Sequence, residues 1–256
     1  MRRMALVGTA CLLLVMTGCI EIEEVVTLEK DFSGTASLDF AMDMEPFAAF
    51  TAQFKREMEG KEGKPTQEEI DLVRQELLAS QKGSMNMPTK EEIAKDLPPG
   101  VKLLESKAID EGLKFGGNLK VAFDHFDKLQ QLEVKQKTAG EAGEAESASA
   151  KMGFPEKPFG GLHFKDEGAT LVMSGMGFAP PAEMSSAPSL DDLPPEVAAT
   201  LKKIKLVIKV TAPFEVVEHN ATRKEDKTLI WEYDYDTLMS RTPEQMQEGL
   251  RARFKK

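Results

Sequence analysis

The sequence predicts an α+β fold, an antiparallel β-sheet built from hairpins with helices packed on one face. Three observations predict it. Apolar and polar residues alternate in several paired runs of strand length. The connections inside those pairs are short and rich in Gly and Asp, which suits hairpins rather than the long crossovers of a parallel sheet. Capping signatures open runs of helical spacing that are grouped between the strand pairs, not interleaved with single strands.

In chain order, residues 20–28 and 35–42 read as two strands, with Val26, Leu28, Ala36, Leu38 and Phe40 on the apolar phase. Asp31-Phe32-Ser33-Gly34 is the turn between them. Phe47, Phe50, Phe54 and Met58 then fall at helical spacing, and Gly60 to Pro65 breaks that pattern. Thr66-Gln67-Glu68-Glu69 is a capping box for a second helix carrying Ile70, Val73, Leu77 and Leu78, and Thr89-Lys90-Glu91-Glu92 opens a short third. Pro98-Pro99-Gly100 stops it.

Strands return at 101–109 and 113–123 around Asp110-Glu111-Gly112. Asp124 or Asp127 caps a short helix with Phe126, Leu129 and Leu132. Residues 162–164 and 169–174 form a further pair. Ile204, Leu206, Ile208 and Val210 alternate with lysines, and 214–218 with 228–233 reads as a hairpin that puts Leu229, Trp231 and Tyr233 on one face. Thr242-Pro243-Glu244-Gln245 opens a closing helix whose stripe is Met246, Leu250 and Phe254. Two stretches lack the residues for a packed core and read as flexible loops, about 136–160 (Gly, Ala, Ser and Glu) and about 178–195 (proline-rich).

The N-terminus carries an address. Met1-Arg2-Arg3-Met4 is a basic start, and residues 5–15 are apolar but short of the roughly 20 residues that a membrane-spanning helix needs. Met16-Thr17-Gly18-Cys19 follows, matching the lipobox of exported lipoproteins at Thr17, Gly18 and Cys19, with Met16 in place of the usual Leu. The expectation is a lipoprotein signal at 1–18, cleavage between Gly18 and Cys19, and lipid attachment to the Cys19 thiol, the best side-chain nucleophile for alkylation. Ala10-Cys11 offers a second, poorer match that would leave too short an apolar stretch before it. Residues 19–256 then form a single α+β periplasmic domain with a helical insertion at about 45–96.

Composition narrows the rest. The chain has 256 residues with 33 Lys and Arg against 43 Asp and Glu, a net charge of −10. Removing the signal with Arg2 and Arg3 makes it more acidic still, so nucleic acid is excluded as a partner. Of the 2 cysteines, Cys11 leaves with the signal and Cys19 carries lipid, which leaves no thiol for a disulfide.

Three passages give the chain a resemblance to the LppM-type lipoproteins of bacterial envelopes. They are Cys19 with the strand and turn up to Asp31-Phe32-Ser33-Gly34-Thr35; Leu97-Pro98-Pro99-Gly100-Val101 with Phe115-Gly116-Gly117 and Val121-Ala122-Phe123-Asp124 through Leu129; and Thr211-Ala212-Pro213-Phe214-Glu215-Val216-Val217-Glu218-His219-Asn220-Ala221 closed by Thr228-Leu229-Ile230-Trp231. The resemblance implies an α+β domain with a role in handling envelope lipids. Members often end in a transmembrane helix, whereas this chain reads as closing in a polar one, and its segment 45–80 is enlarged.

No catalytic or metal-binding constellation stands out. His125, His163 and His219 lack metal-ligand spacing. Asp191-Asp192 and Asp234-Tyr235-Asp236 lack the further ligands of a calcium loop and read as turn acids. Gly175-Met176-Gly177 is not a phosphate loop, and Ser33 and Ser174 have no nucleophile elbow. Asn220 reads as a turn residue. Met42, Met44, Met58, Met85, Met87, Met173, Met176 and Met184 fill core gaps or line an acyl chain. Arg251, Arg253, Lys255 and Lys256 suit the C-terminal end of a helix dipole. The expected function is a non-catalytic, membrane-anchored lipoprotein that binds a lipid or envelope component, with no cofactor and no metal. The alternative is a structural or assembly lipoprotein that docks a protein partner. Ile20 after the acylated residue, where Asp would mark retention, points to the outer membrane, facing the periplasm, in a host with two membranes.

Overall fold

The computed structural model describes residues 19–81, 89–133, 158–159, 161–175, 195–240, 245 and 248–256. The expected signal at 1–18 with Gly18, nearly all of both expected loops, Met85, Met87, Met176, Gly177, Met184, Asp191, Asp192, Met246 and the expected cap at 242–244 lie outside those residues.

The chain is α+β. β1 (Cys19–Leu28) and β2 (Gly34–Asp43) form the opening hairpin, in register from Cys19 opposite Asp43 to Leu28 opposite Gly34. Its turn is held by Asp31, which accepts from both the amide and the hydroxyl of Ser33. Helices α1 (Glu45–Met58), α2 (Gln67–Gln81) and α3 (Lys90–Asp96) follow. Both capping boxes are present: Glu69 N–H donates to Thr66 Oγ1 at 3.3 Å, and Glu92 N–H to Thr89 Oγ1 at 3.3 Å. The strands β3 (Val101–Glu111) and β4 (Lys114–Phe123) are joined through Gly112, at φ 69°, and a 3₁₀ helix (Phe126–Gln131) follows β4. Next come β5 (Leu162–Asp166), β6 (Thr170–Gly175), α4 (Pro195–Leu201), β7 (Lys205–Thr211), β8 (Glu215–His219), β9 (Arg223–Glu225), β10 (Thr228–Asp234), α5 (Tyr235–Ser240) and β11 (Leu250–Lys255).

These strands make two sheets. The larger has the order β3-β4-β2-β1-β7-β10-β9, the smaller β5-β6-β11-β8. Pairing is antiparallel throughout except between β1 and β7, which run parallel with Glu24 opposite Ile208. Short turns dictate antiparallel pairing only for strands close in sequence. β1 and β7 are far apart in the chain, and turn length says nothing about their direction.

Three sequence expectations are corrected. Residues 214–218 do not pair with 228–233. β10 turns back on β9 through Asp226, at φ 52°, while β8 crosses to the smaller sheet beside β11. The expected closing helix is the strand β11, where Leu250, Ala252 and Phe254 are buried and Arg251, Arg253 and Lys255 are exposed. Met246, Leu250 and Phe254 are spaced by four, which satisfies helical and strand periods alike. Gly249 at φ 63° stops a helix before Leu250 and Phe254. Finally, Phe159, inside the expected loop 136–160, is fully buried in the core.

The larger sheet has one apolar face, which we call inner. Val26, Leu28, Ala36, Leu38, Leu119, Val121, Ile208, Val210, Leu229 and Trp231 on it are all buried. Two layers cover this face. At the Cys19 end, Phe47, Ala48 and Ala52 of α1 and Val73 of α2 pack on Phe40, Met42 and Phe115. At the Leu28 end, the smaller sheet packs Phe164, Leu171, Met173 and Phe254 together with Phe126 and Leu129 of the 3₁₀ helix. On α1 the buried side falls on Phe47, Ala48 and Ala52, so Met58 is not part of the apolar stripe; it is 74% exposed.

Asn220 joins the two sheets. Its Oδ1 accepts from Trp231 Nε1 at 3.0 Å on the larger sheet and from Arg251 N–H at 2.8 Å on the smaller, and its Nδ2 donates to the Gly249 carbonyl at 2.8 Å. Asn220 is thus more than the turn residue that its sequence context suggests. Its work is to satisfy an indole N–H and two backbone groups at the seam.

Candidate functional site

Cys19, the expected lipid-attachment residue, is the first residue of β1, hydrogen-bonded in the sheet opposite Asp43. β1 is an interior strand, paired with β2 on one side and β7 on the other. The strand alternation beyond Cys19 then decides where each acid goes. Glu21 and Glu23 fall on the outer face, and Glu24 shares the inner phase with Ile22, Val26 and Leu28.

Glu24 is 9% exposed, flanked in register by Leu38 and Ile208, and its Oε1 has no hydrogen-bond partner. Burial pushes its carboxyl up from 4.5 to about 8, so near neutral pH it is a protonated acid inside an apolar layer. It sits in the row where the two covering layers meet: Leu38 packs with the smaller-sheet core, and Phe40, one step along the same face, packs with the helices. A phase count back from Val26 places this residue inward; reading Glu21 to Glu24 as a charged run hides it.

The outer face of the same sheet carries a groove of about 640 Å³. Ala41 and Gly117 are the small residues that line it. Ala41 lies opposite Gly116, and a Cβ on Gly116 would stand 2.1 Å from the Phe40 carbonyl oxygen, so these two strands need glycine there. Long charged side chains rise on both sides, with Glu21 and Lys205 toward β7 and Lys107 and Lys114 toward β3. At one end Glu23 and Asp39 lie directly opposite each other, an arrangement that repels unless each acid finds its own partner. Glu23 takes Lys209 at 2.7 Å, and Asp39 takes the Asn118 amide at 2.7 Å. Asn118 Oδ1 is left buried and without a partner. Among the described residues, Glu21, Glu105, Lys107 and Lys114 make no ion pair.

The remaining candidates are dispersed. His125 caps the 3₁₀ helix through Nδ1, which accepts from Asp127 N–H at 3.4 Å. His163 is exposed on β5, and His219 Nδ1 accepts from the Ala221 amide at 3.2 Å. Among the described residues no group of three or more His, Cys, Asp or Glu is placed to hold a metal ion. Asp234 is occupied with the amide and hydroxyl of Thr237. Ser174 and His219 do line one shallow cavity of about 200 Å³ with Arg251 and Arg253. With Nδ1 already accepting from the backbone, the neutral ring carries its proton on Nε2, so Nε2 offers no lone pair to activate a serine. The helix-dipole account of Arg251, Arg253 and Lys255 falls with the helix itself; Arg251 pairs with Glu248 and Lys256 with Asp166. Met42, Met44 and Met173 are buried core residues.

No family model and no curated protein sequence matches the chain. Among solved structures, the chain is similar to the folded domain of LppM from Mycobacterium tuberculosis, determined by NMR, at 12% sequence identity and a TM-score of 0.43 over 93% of this chain and 91% of that one. The likeness is a distant one in the course of the chain. Among the described residues no helix is long and apolar enough to cross a membrane.

Proposed function

We propose that this chain is a lipid-anchored, non-catalytic protein of the cell envelope that holds a lipid or another envelope component on its larger sheet. The observation that carries the reading is the position of Cys19. A lipobox cysteine opens β1, and Glu21, only two residues further on, already lines the 640 Å³ groove. Acylation there seats the groove within a few ångströms of the bilayer surface, with no linker between lipid and sheet. The lipobox at Thr17, Gly18 and Cys19, with Ile20 rather than Asp after the cysteine, supports a periplasmic face on the outer membrane where the host has two membranes. A non-catalytic role is supported by the unpartnered, unactivated state of Ser174 and by the dispersal of the three histidines.

Two measurements test it. Mass spectrometry of the mature N-terminal peptide from cells should show a doubly or triply acylated Cys19, and Cys19→Ala should release the protein from membranes. An intact Met1 terminus in membrane-bound protein would sink the anchoring half. Native mass spectrometry of protein gently extracted from its host should show a bound envelope component; a persistently empty protein would sink the binding half.

A second reading has its own support. Met58 and Leu72 are 74% and 58% exposed on the α1–α2 pair, large apolar side chains of the kind that dock a protein partner. Crosslinking through position 58 or 72 that recovers one stoichiometric envelope protein would favour this assembly role.

A further inference from the structure

The inner face of the larger sheet is not covered as one piece. Its buried apolar side chains fall into two clusters with no member in common, one packed with α1 and α2 and one with the smaller sheet. The boundary crosses β2 between Leu38 and Phe40, and Glu24 lies on it, opposite Leu38. We propose that α1 and α2 form a proton-controlled lid: with Glu24 protonated the pair lies closed on the Cys19 end of the sheet, and loss of that proton opens the seam and bares the apolar surface of Ile22, Phe40, Met42 and Phe115.

The packing breaks beside this acid. Ile22, opposite Phe40 and one step along the inner face from Glu24, touches both clusters, so one covering layer gives way to the other there. The helical layer is also a body of its own. Arg56 Nη1 meets Glu69 Oε1 at 2.8 Å, and the pairs Lys55–Glu76 and Arg74–Glu45 bridge the same two helices. What joins that body to the sheet is apolar, with Phe47, Ala48, Ala52 and Val73 against Phe40, Met42 and Phe115. The chain passes from β2 to α1 through a single residue, Met44, whose N–H donates to the Leu113 carbonyl at 2.9 Å. Met44 stays with the sheet and is the pivot.

Nothing around Glu24 offsets a charge. Leu38 and Ile208 flank it in register, and Oε1 has no hydrogen-bond partner. None of the charged residues of α1 and α2 is buried. Among the described residues Glu24 is the buried charged residue, and the other buried polar one, Thr200 of α4, does not titrate. The titratable groups on the same face of other strands are the Tyr233 phenol of β10, and Lys224 and Asp110, exposed on the edge strands β9 and β3. A carboxylate here therefore has water as its available relief. Water reaches it by parting the layers where they meet, a smaller event than unfolding the sheet. In the closed form burial raises the carboxyl from 4.5 to about 8, and hydration in the open form returns it toward 4.5. Opening thus gains up to about tenfold per pH unit across that interval and levels off above it.

Amide hydrogen exchange of the full-length protein, followed by mass spectrometry from about pH 5 to about pH 9, tests the lid. The α1 amides should open at a lower free energy than those of β6 and β11. Their protection, corrected for the intrinsic pH dependence of exchange, should fall by up to about tenfold per pH unit until about pH 8 and then level off. Glu24→Gln, which keeps the shape and removes the ionisation, should hold α1 protection constant over the whole range, and Glu24→Leu should do the same. The wild type alone can overturn the proposal in two ways. Protection of α1 that ignores pH would mean that Glu24 stays dry when the helices open. Exchange of α1 only at the free energy of β6 and β11 would mean that the helices leave with the whole fold. A pH slope that survives in either variant would assign control to another group and overturn it as well.

Discussion

Glu23 and Glu24 are consecutive residues on one strand, and the sheet treats them in opposite ways. Glu23 faces outward, has a side chain 42% accessible, and meets Lys209 at 2.7 Å. Glu24 faces inward between Leu38 and Ile208, with an oxygen that nothing satisfies and a carboxyl that burial raises to about 8. Chemistry is the same at both positions; the period of two decides which side of the layer each occupies. An acid on the wet side is tuned by its neighbours and is worth little. An acid on the dry side is dominated by desolvation and is worth several kcal/mol.

The largest expected effect comes from pH. Below pH 4.5 Glu24 is protonated in both the folded and the unfolded chain and contributes nothing. Between pH 4.5 and about 8 the unfolded chain releases the proton and the folded chain keeps it, so stability falls as pH rises. The loss from this residue reaches about 5 kcal/mol by pH 8 and then levels off. Urea unfolding of the wild type and of Glu24→Gln across that range should show the fall only in the wild type, after subtraction of the common background. Curves of the same slope would mean that Glu24 is hydrated in the folded protein.

Truncating the partners in register separates the faces next. Leu38, opposite Glu24, is 2% exposed, and Leu38→Ala should cost about 2–5 kcal/mol. Asp39, opposite Glu23 on the outer face, should tolerate Asp39→Ala within about 1 kcal/mol. Denaturant midpoints measure both; similar losses would contradict the assignment of faces. Glu24→Leu should stabilise the protein at pH 7 by about 1–4 kcal/mol, because it replaces a buried unpaired acid with an apolar side chain. Differential scanning calorimetry would show the rise in Tm, and a fall would indicate that a ligand or ordered water uses the carboxyl. The smallest effect is the surface ion pair. A double-mutant cycle on Glu23 and Lys209 should give a coupling of about 0.2–1 kcal/mol that shrinks in high salt. A larger, salt-independent coupling would show that this pair is sheltered.

The same contrast explains what the sequence made legible. Alternation of Val26 and Leu28, Ala36 to Met42 and Leu229 to Tyr233 is a local pattern, and so the opening hairpin and the inner faces of β2 and β10 could be read before the structure. The capping boxes at Thr66 and Thr89 are local in the same way. The partner of a strand is not local. Nothing near 215–219 says that β8 joins β11, and nothing in β1 says that β7 will lie parallel to it. The groove is not legible for that reason: Ala41 and Gly117 line one space only when their strands pair. Phe254 was misread because even spacing is shared by two periods.

The parallel pairing of β1 and β7 has a mechanical consequence. The proposed tether at Cys19 would pull on the end of an interior strand paired with β2 from Cys19 to Leu28 and with β7 from Glu21 to Thr27. Tension directed along that strand loads both ladders in shear, so many backbone bonds resist together and none can be peeled away first. A protein dragged by its acyl chains through a viscous leaflet would be gripped at one of its stiffest points.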